Sequence, residues 1–208
     1  MREGRLGAVH AVAFSGLHPL RLEARPSWYF LPGAHGGTLN DLAIHALDLL
    51  PWLTGRRCAQ LYAARCWNAG LPEHPEFRNC GQLMLGLEGG AGVIGDVSYL
   101  SPDGFGYDLP MYWRFTLWGE KAAAEGGLNT PQLALYPREA ATPELISPLP
   151  ASEGGYWERL LSCLEDDEAR RQANDELFEA TRAALLAQKA ANERLPAVEI
   201  RTERGLRS

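Results

Sequence analysis

The stretch Gly36–Gly55, GGTLNDLAIHALDLLPWLTG, constrains this chain more than any other. Its spacing predicts a helix. At about 100° per residue, Asp41, His45 and Asp48 fall within roughly 60° of one another. Leu39, Leu42, Ala43, Ala46, Leu47, Leu50 and Leu53 spread over the other side and would face a core. Thr38 and Asp41 stand in the spacing of a capping box, Gly55 supplies the stop, and Arg56 and Arg57 follow at the negative end. Pro51 sits late in the pattern, where it would kink the last turn. A carboxylate one turn before an imidazole can fix the ring's orientation and raise its basicity. Asp41 and His45 are therefore a candidate proton-transfer pair. Plainer uses exist beside this one: Asp41 as a helix-start carboxylate, Asp48 as an ion-pair partner of Arg56 or Arg57.

The segment ahead of this helix, residues 17–37, is rich in proline and glycine and reads as a long loop. Loops of that length in compact domains are often functional. Trp28, Tyr29 and Phe30 either pack on the core or line a ligand cleft, and Arg21 and Arg25 hold either a substrate oxygen or the loop itself. Gly33, Gly36 and Gly37 would let an anionic or polyol ligand approach the N–H groups at the helix start, or simply keep the loop flexible. His10, His18, His35 and His74 are isolated and read as ordinary structural or surface residues.

Beyond residue 58 the pattern turns to strands. Ala59–Trp67, Gln82–Leu87, Gly92–Ser98, Tyr112–Trp118 and Gln132–Tyr136 are rich in β-formers and separated by turn residues, with an earlier strand inside residues 1–16. A four-residue connection at Glu88–Ala91 favours antiparallel pairing. A Pro-rich connection over residues 138–155 leads to two helices, about Gly155–Leu164 and Asn174–Asn192, and a short last strand in Leu195–Ile200. Asn174 is the expected cap of the second helix, and Leu177, Phe178, Thr181, Ala184, Leu185 and Gln188 trace its apolar face. This order predicts an α+β fold, a large, mostly antiparallel open sheet with helices on one face, forming one domain over residues 1–208. Trp113, Phe115 and Leu117 alternate with Arg114, Thr116 and Trp118, so large apolar groups on both sides of that strand suggest a partner surface.

The formal net charge of −6 argues against a nucleic-acid or anionic-membrane partner, and no apolar run reaches the roughly 20 residues of a membrane span. The start of the sequence lacks the apolar core of a signal peptide, so the expected location is cytoplasmic. The four cysteines show no metal-ligand spacing and read as free thiols. Gly90, Gly92 and Gly95 match G-x-G-x-x-G, but with no helix after them the string is a chance match. Only two lysines occur, Lys121 and Lys189, and both lie in segments that read as exposed.

RPSWYFLPGAHGGTLNDLAIHALDLLPWLTG resembles the C-terminal domain of the Gfo/Idh/MocA oxidoreductases, named for glucose–fructose oxidoreductase and inositol dehydrogenase. The resembling features are the glycine-rich lead-in, Asp41 and His45 in D-x-x-x-H, the following Asp48, and Trp52 with Gly55. REGRLGAVHAVAFSG looks like the family's first strand after its nucleotide-binding domain, and NDELFEATRAALLAQKAANERLPAVEI like its closing helix and strand. The resemblance implies hydride transfer between a sugar or polyol and NAD or NADP. It implies His45 as the acid/base and Asp41 as its support. Trp28, Gly36, Gly37, Asp48 and Arg25 would lie near the substrate. It also implies a homo-oligomer built through the open sheet face. The family's Rossmann domain and its catalytic lysine have no counterpart in this sequence, so the cofactor-binding residues would lie outside it. The rival expectation is a non-catalytic binding or assembly module derived from such an enzyme. A weaker third places a metal on Asp41, His45 and Asp48.

Overall fold

The computed structural model describes residues 4–147 and 155–200. Among these residues nine strands form one sheet. In chain order they are β1 (Val9–Pro19), β2 (Cys58–Trp67), β3 (Cys80–Leu87), β4 (Gly92–Ser101), β5 (Arg114–Gly119), β6 (Ala122–Gly127), β7 (Leu133–Pro137), β8 (Glu144–Ile146) and β9 (Val198–Glu199). Their order across the sheet is β8-β7-β6-β5-β1-β4-β3-β2-β9. Only β1 and β4 run parallel; every other neighbouring pair is antiparallel. A parallel pair needs a crossover, and the crossover here carries helix α1 (Ile44–Thr54), β2 and β3. The expected α+β open sheet is therefore the fold observed.

One sheet face is buried. Val12, Phe14, Leu61, Leu85, Val93 and Leu117 meet Leu39, Ala46, Leu47 and Leu50 from the α1 region. Helix α2 (Gly155–Glu165) precedes α3 (Asp167–Glu193), which packs beside α1 and over β2. The buried stripe of α3 is almost all alanine: Ala180, Ala183, Ala184, Ala187, Ala190 and Ala191. Small side chains let a helix axis approach its neighbours closely. This corrects the expected apolar face, because Leu177, Phe178 and Leu185 are more than half exposed. The larger residues lie on the outer side once the alanines take the inner one.

Three further differences have local causes. Helix α3 starts a full two turns earlier than Asn174, at Asp166, whose carboxylate accepts from the Glu168 N–H. Strand β6, AAAEGG, has no β-forming residue and exists because β5 and β7 pair with it on both sides. Strand β8 lies within the Pro-rich connection, of which residues 148–154 fall outside the described residues. The other sheet face carries Tyr62, Met84, Ile94, Trp118 and Tyr136, all well exposed. Among the described residues no helix is long and apolar enough to cross a membrane.

Candidate functional site

The lead into α1 is a wide π-type turn, Leu39–Ala43, that continues directly as α1 and closes at Gly55 with φ 69°. Such turns inside helices are common at functional sites. The expected capping box does not form. Thr38 is buried and its hydroxyl donates to the Arg78 carbonyl. The free N–H groups are taken instead by Gln188 of α3, whose Oε1 accepts from Leu39 N at 2.9 Å and Asn40 N at 3.4 Å. Gly37 has φ +99°, and a Cβ there would stand 2.1 Å from the Gln188 amide. The donors that the sequence offered to a ligand at Gly36 and Gly37 are thus occupied from within. Gly37 is a close-packing glycine, and Gly36 is a turn glycine at φ +79°.

Asp41 sits in the π-type turn and its Oδ2 collects three donors. Tyr99 of β4 donates to it, Tyr29 Oη lies 3.3 Å away, and His35 Nε2 lies 3.3 Å away. The three donors also bond one another: Tyr29 donates to Tyr99 Oη at 2.8 Å, and His35 Nε2 is 3.1 Å from the same oxygen. The bond to His35, followed by those to the two tyrosines, outweighs partial burial and holds the Asp41 carboxyl at about 2. The same enclosure raises both tyrosines, Tyr99 most of all. Asp41 is therefore a fixed negative charge and not a proton acceptor near neutrality. The Arg25 guanidinium lies over the Tyr29 ring at 4.5 Å and within 5.9 Å of the Tyr99 ring, while its Nε donates to the Leu20 carbonyl.

His45 is exposed and is not among the hydrogen-bond partners of Asp41. The expected orienting bond between the two is replaced by the His35 contact, because the three donors draw the carboxylate away from α1. His45 faces His18 of β1, with ring centroids 6.4 Å apart and planes within 10°, and meets Trp113 edge-on at 5.8 Å. His18 is the hub: its ring also meets Tyr99 at 6.5 Å, Tyr107 at 5.8 Å and Tyr112 at 5.1 Å. The β1–β4 register places Leu17 opposite Ser98, so His18 lands beside Tyr99. Burial, then the neighbouring His45, pull the His18 imidazole down to about 4.

The remaining expectations divide. Trp28 is half exposed with its ring 5.6 Å from Tyr29, so it borders the cluster, as does Arg25. Asp48 does not join it. One turn beyond His45, it is exposed and lines a separate groove with Trp52, Arg57, Glu176 and Glu179. Its expected partners are engaged elsewhere: Arg57 pairs with Glu179 at 2.6 Å and Arg56 donates to the Val9 carbonyl at 3.1 Å. With Asp48 in another groove, the metal reading of Asp41, His45 and Asp48 fails. Among the described residues no other group of three or more metal-capable side chains gathers. His18, His35, Tyr99 and Trp113 are the site residues that sequence reasoning missed. They come from β1, the loop, β4 and the β4–β5 connection, and only the fold unites them.

Residues 1–125 match the GFO/IDH/MocA C-terminal domain. Among curated proteins, none matches the chain. Several solved structures are similar. An oxidoreductase from Erwinia carotovora atroseptica is 27% identical with a TM-score of 0.76, covering 92% of this chain and 58% of that one. An oxidoreductase from Thermotoga maritima is 23% identical with a TM-score of 0.75, covering 95% and 57%. An inositol dehydrogenase homologue from Azotobacter vinelandii, solved with NAD+, shares the fold at 16% identity and a TM-score of 0.71, covering 95% and 59%. The chain thus spans less than two thirds of the length of these structures. With that match over more than half its length, and with the open sheet and D-x-x-x-H helix described above, this chain belongs to the GFO/IDH/MocA C-terminal domain family.

Proposed function

We propose that this chain is the substrate-binding, acid/base-bearing part of an NAD(P)-dependent oxidoreductase acting on a sugar or polyol. One observation carries the reading: an exposed His45 imidazole stands against a wall of His18 and Trp113, one turn from the ionised Asp41 cluster. An imidazole is the side chain best suited to exchange a proton near neutral pH. His45 would take the proton of the reacting hydroxyl during oxidation and return it during reduction. Tyr107, Tyr112 and Trp28 offer apolar ring surface to the C–H groups of a sugar, and their polar tips, with Arg25, can meet its oxygens.

The G-x-G-x-x-G string does not fit a nicotinamide dinucleotide. Gly95 of the G-x-G-x-x-G string lies under Phe14, so closely that a Cβ would stand 2.2 Å from the ring, while Gly90 belongs to the β3–β4 connection and Gly92 opens β4. On this reading the share of the described residues is to hold the substrate and move a proton. The inositol dehydrogenase homologue was solved with NAD+, which supports a nicotinamide partner for the whole protein.

The exposed sheet face favours self-association. Tyr62, Met84, Ile94 and Trp118 lie on the same sheet, an apolar strip of the kind that oligomers cover. The same strip is what favours a second reading, an assembly module without catalysis. Turnover of a panel of sugars and polyols with NAD+ and NADP+ by the complete enzyme, nucleotide-binding part included, separates the two. The first reading predicts activity that His45→Ala lowers at least about tenfold in that enzyme. Unchanged turnover in that variant removes His45 from the mechanism, and an inactive but self-associating protein favours the assembly module.

A further inference from the structure

Gly92, the first residue of β4, is a glycine that its own chain does not require. It is exposed, its φ lies outside the left-handed region, and a Cβ added there would meet nothing within 4 Å. A glycine inside a sheet weakens its strand and often marks the close approach of another group. Strand pairing shows what flanks it on the outer face. Ala11 of β1 stands opposite Gly92 of β4 on one side and opposite Trp118 of β5 on the other. The next outward row across the same three strands is Ile94, Ala13 and Thr116, and the row after that is Asp96, Ser15 and Arg114. Strand β1 stands in the middle of the sheet order, and its outward residues in these rows are all small. Each row thus sets unlike groups on the two flanks of β1: an indole against bare backbone, a guanidinium against a carboxylate.

Resting on the reading of this face as a self-association surface, we propose that a second copy covers it about a two-fold axis running along β1, with Trp118 over the partner's Gly92 and Arg114 on the partner's Asp96. An axis lying between two sheets along β1 exchanges the flanks of that strand, so the β5 side of one copy meets the β4 side of the other. It keeps the two sets of strands nearly aligned, as in face-to-face sheet packing, and every contact occurs twice. The charges agree with it. Asp96 accepts from Gln82 Nε2 at 2.7 Å, and among the described residues no cation forms an ion pair with it. Covering the face takes this half-exposed carboxylate out of water, which is costly unless a cation meets it. Arg114 of the same chain stands two strands away, about 10 Å, and pairs with Glu125. Across the gap of about 10 Å between packed sheets it joins the partner's Asp96 to that pair. The small side chains of β1 leave room for the two sheets to meet at the axis. An axis along β3 would bring Arg65 to the partner's Asp96 by the same row, but it leaves Trp118, 46% exposed, without cover.

The test is sedimentation equilibrium of the whole protein, with variants run alone and mixed. Asp96→Arg and Arg114→Asp each set like charges against each other twice, and each should raise the dimer dissociation constant at least about thirtyfold. An equimolar mixture of the two should reassociate to within about threefold of the native constant, because both contacts of the mixed dimer are then Arg–Asp pairs. A role confined to one chain cannot be repaired by mixing. Gly92→Phe probes the same axis without charge. Its side chain enters space that is open within the chain, so the melting temperature should stay near native while association weakens at least about tenfold. Mixing it with Trp118→Ala should recover part of the loss. Should a charge variant not fold, this neutral pair decides alone. A native protein that self-associates, with an assembly that ignores these substitutions, overturns the axis and leaves the self-association reading standing. So does repair of Asp96→Arg by Arg65→Asp in place of Arg114→Asp. A native protein that stays monomeric removes the reading and the axis together.

Discussion

His35 Nε2, and not His45, lies 3.3 Å from Oδ2 of Asp41. The carboxylate one turn before His45 is engaged by an imidazole from the preceding loop. It is fixed there by two tyrosines that the same loop and β4 supply. Asp41 and His45 therefore stand one turn apart with no bond between them, and the carboxylate is held as a fixed charge by the loop and β4.

Removing the first donor should loosen Asp41. His35→Phe is expected to raise the Asp41 carboxyl from about 2 toward the ordinary aspartate value of 3.8, because the largest lowering influence is gone. In the native protein the depressed value contributes stability that is present above the unfolded pKa. It is lost as pH falls through the folded one, between about pH 4 and pH 2. Since the carboxylate is almost half exposed, the contribution is about 1 kcal/mol and no more. Carboxyl 13C NMR across that window reads the shift directly, and an unmoved Asp41 in His35→Phe would contradict it.

His18 titrates in another window. Its folded value of about 4 lies below the ordinary 6.5, so between these the unfolded chain binds a proton that the native one refuses. Stability is full above about pH 6.5 and falls as pH drops toward 4. His18→Phe should flatten the stability curve in that range. Denaturant midpoints at pH 7 and pH 4.5 measure it, and an equal slope in both proteins would count against a buried neutral His18.

The junction of α1 and α3 rests on Gln188. Gln188→Leu keeps the volume but strands the Leu39 and Asn40 N–H groups in a buried place, at a cost of about 1–3 kcal/mol. Gly37→Ala combines a positive φ with a clash against the same amide and should cost at least about 2 kcal/mol. Urea unfolding of both variants checks this. A neutral Gly37→Ala would mean that the close approach is not needed.

The exposed sheet face should respond without any effect on the core. Ile94→Lys places a charge in the middle of the apolar strip, where the native side chain is already 63% exposed. It should leave the melting temperature nearly unchanged and lower the sedimentation mass of the assembly. An unchanged mass would locate any oligomer interface elsewhere.

The helix around Asp41 and His45 was legible because its apolar positions recur every three to four residues and Gly55 ends it in the left-handed conformation. Strands β2 to β5 were legible from their β-branched and aromatic content and their intervening turns. Strand β6 was not, since Ala122–Gly127 owes its conformation wholly to its neighbours. The burial of α3 was misjudged because periodicity ranks leucine and phenylalanine above alanine, whereas close helix packing at this position selects alanine. The site was half visible. His45, Asp41, Arg25 and Trp28 stand within one segment, but Tyr99 and Trp113 are dozens of residues away, and only the parallel β1–β4 pair brings Tyr99 beside His18. Nothing local marks Trp113 as a residue that must take φ 47°.

The most direct test of the site is a crystal structure of the protein with a bound polyol. The account predicts one hydroxyl within about 3 Å of a His45 ring nitrogen, with the carbon skeleton against Tyr107 and Tyr112. A polyol seated instead in the cavity of about 340 Å³ lined by Phe30, Gly33, Arg78 and Asn192, with His45 left in solvent, would contradict it.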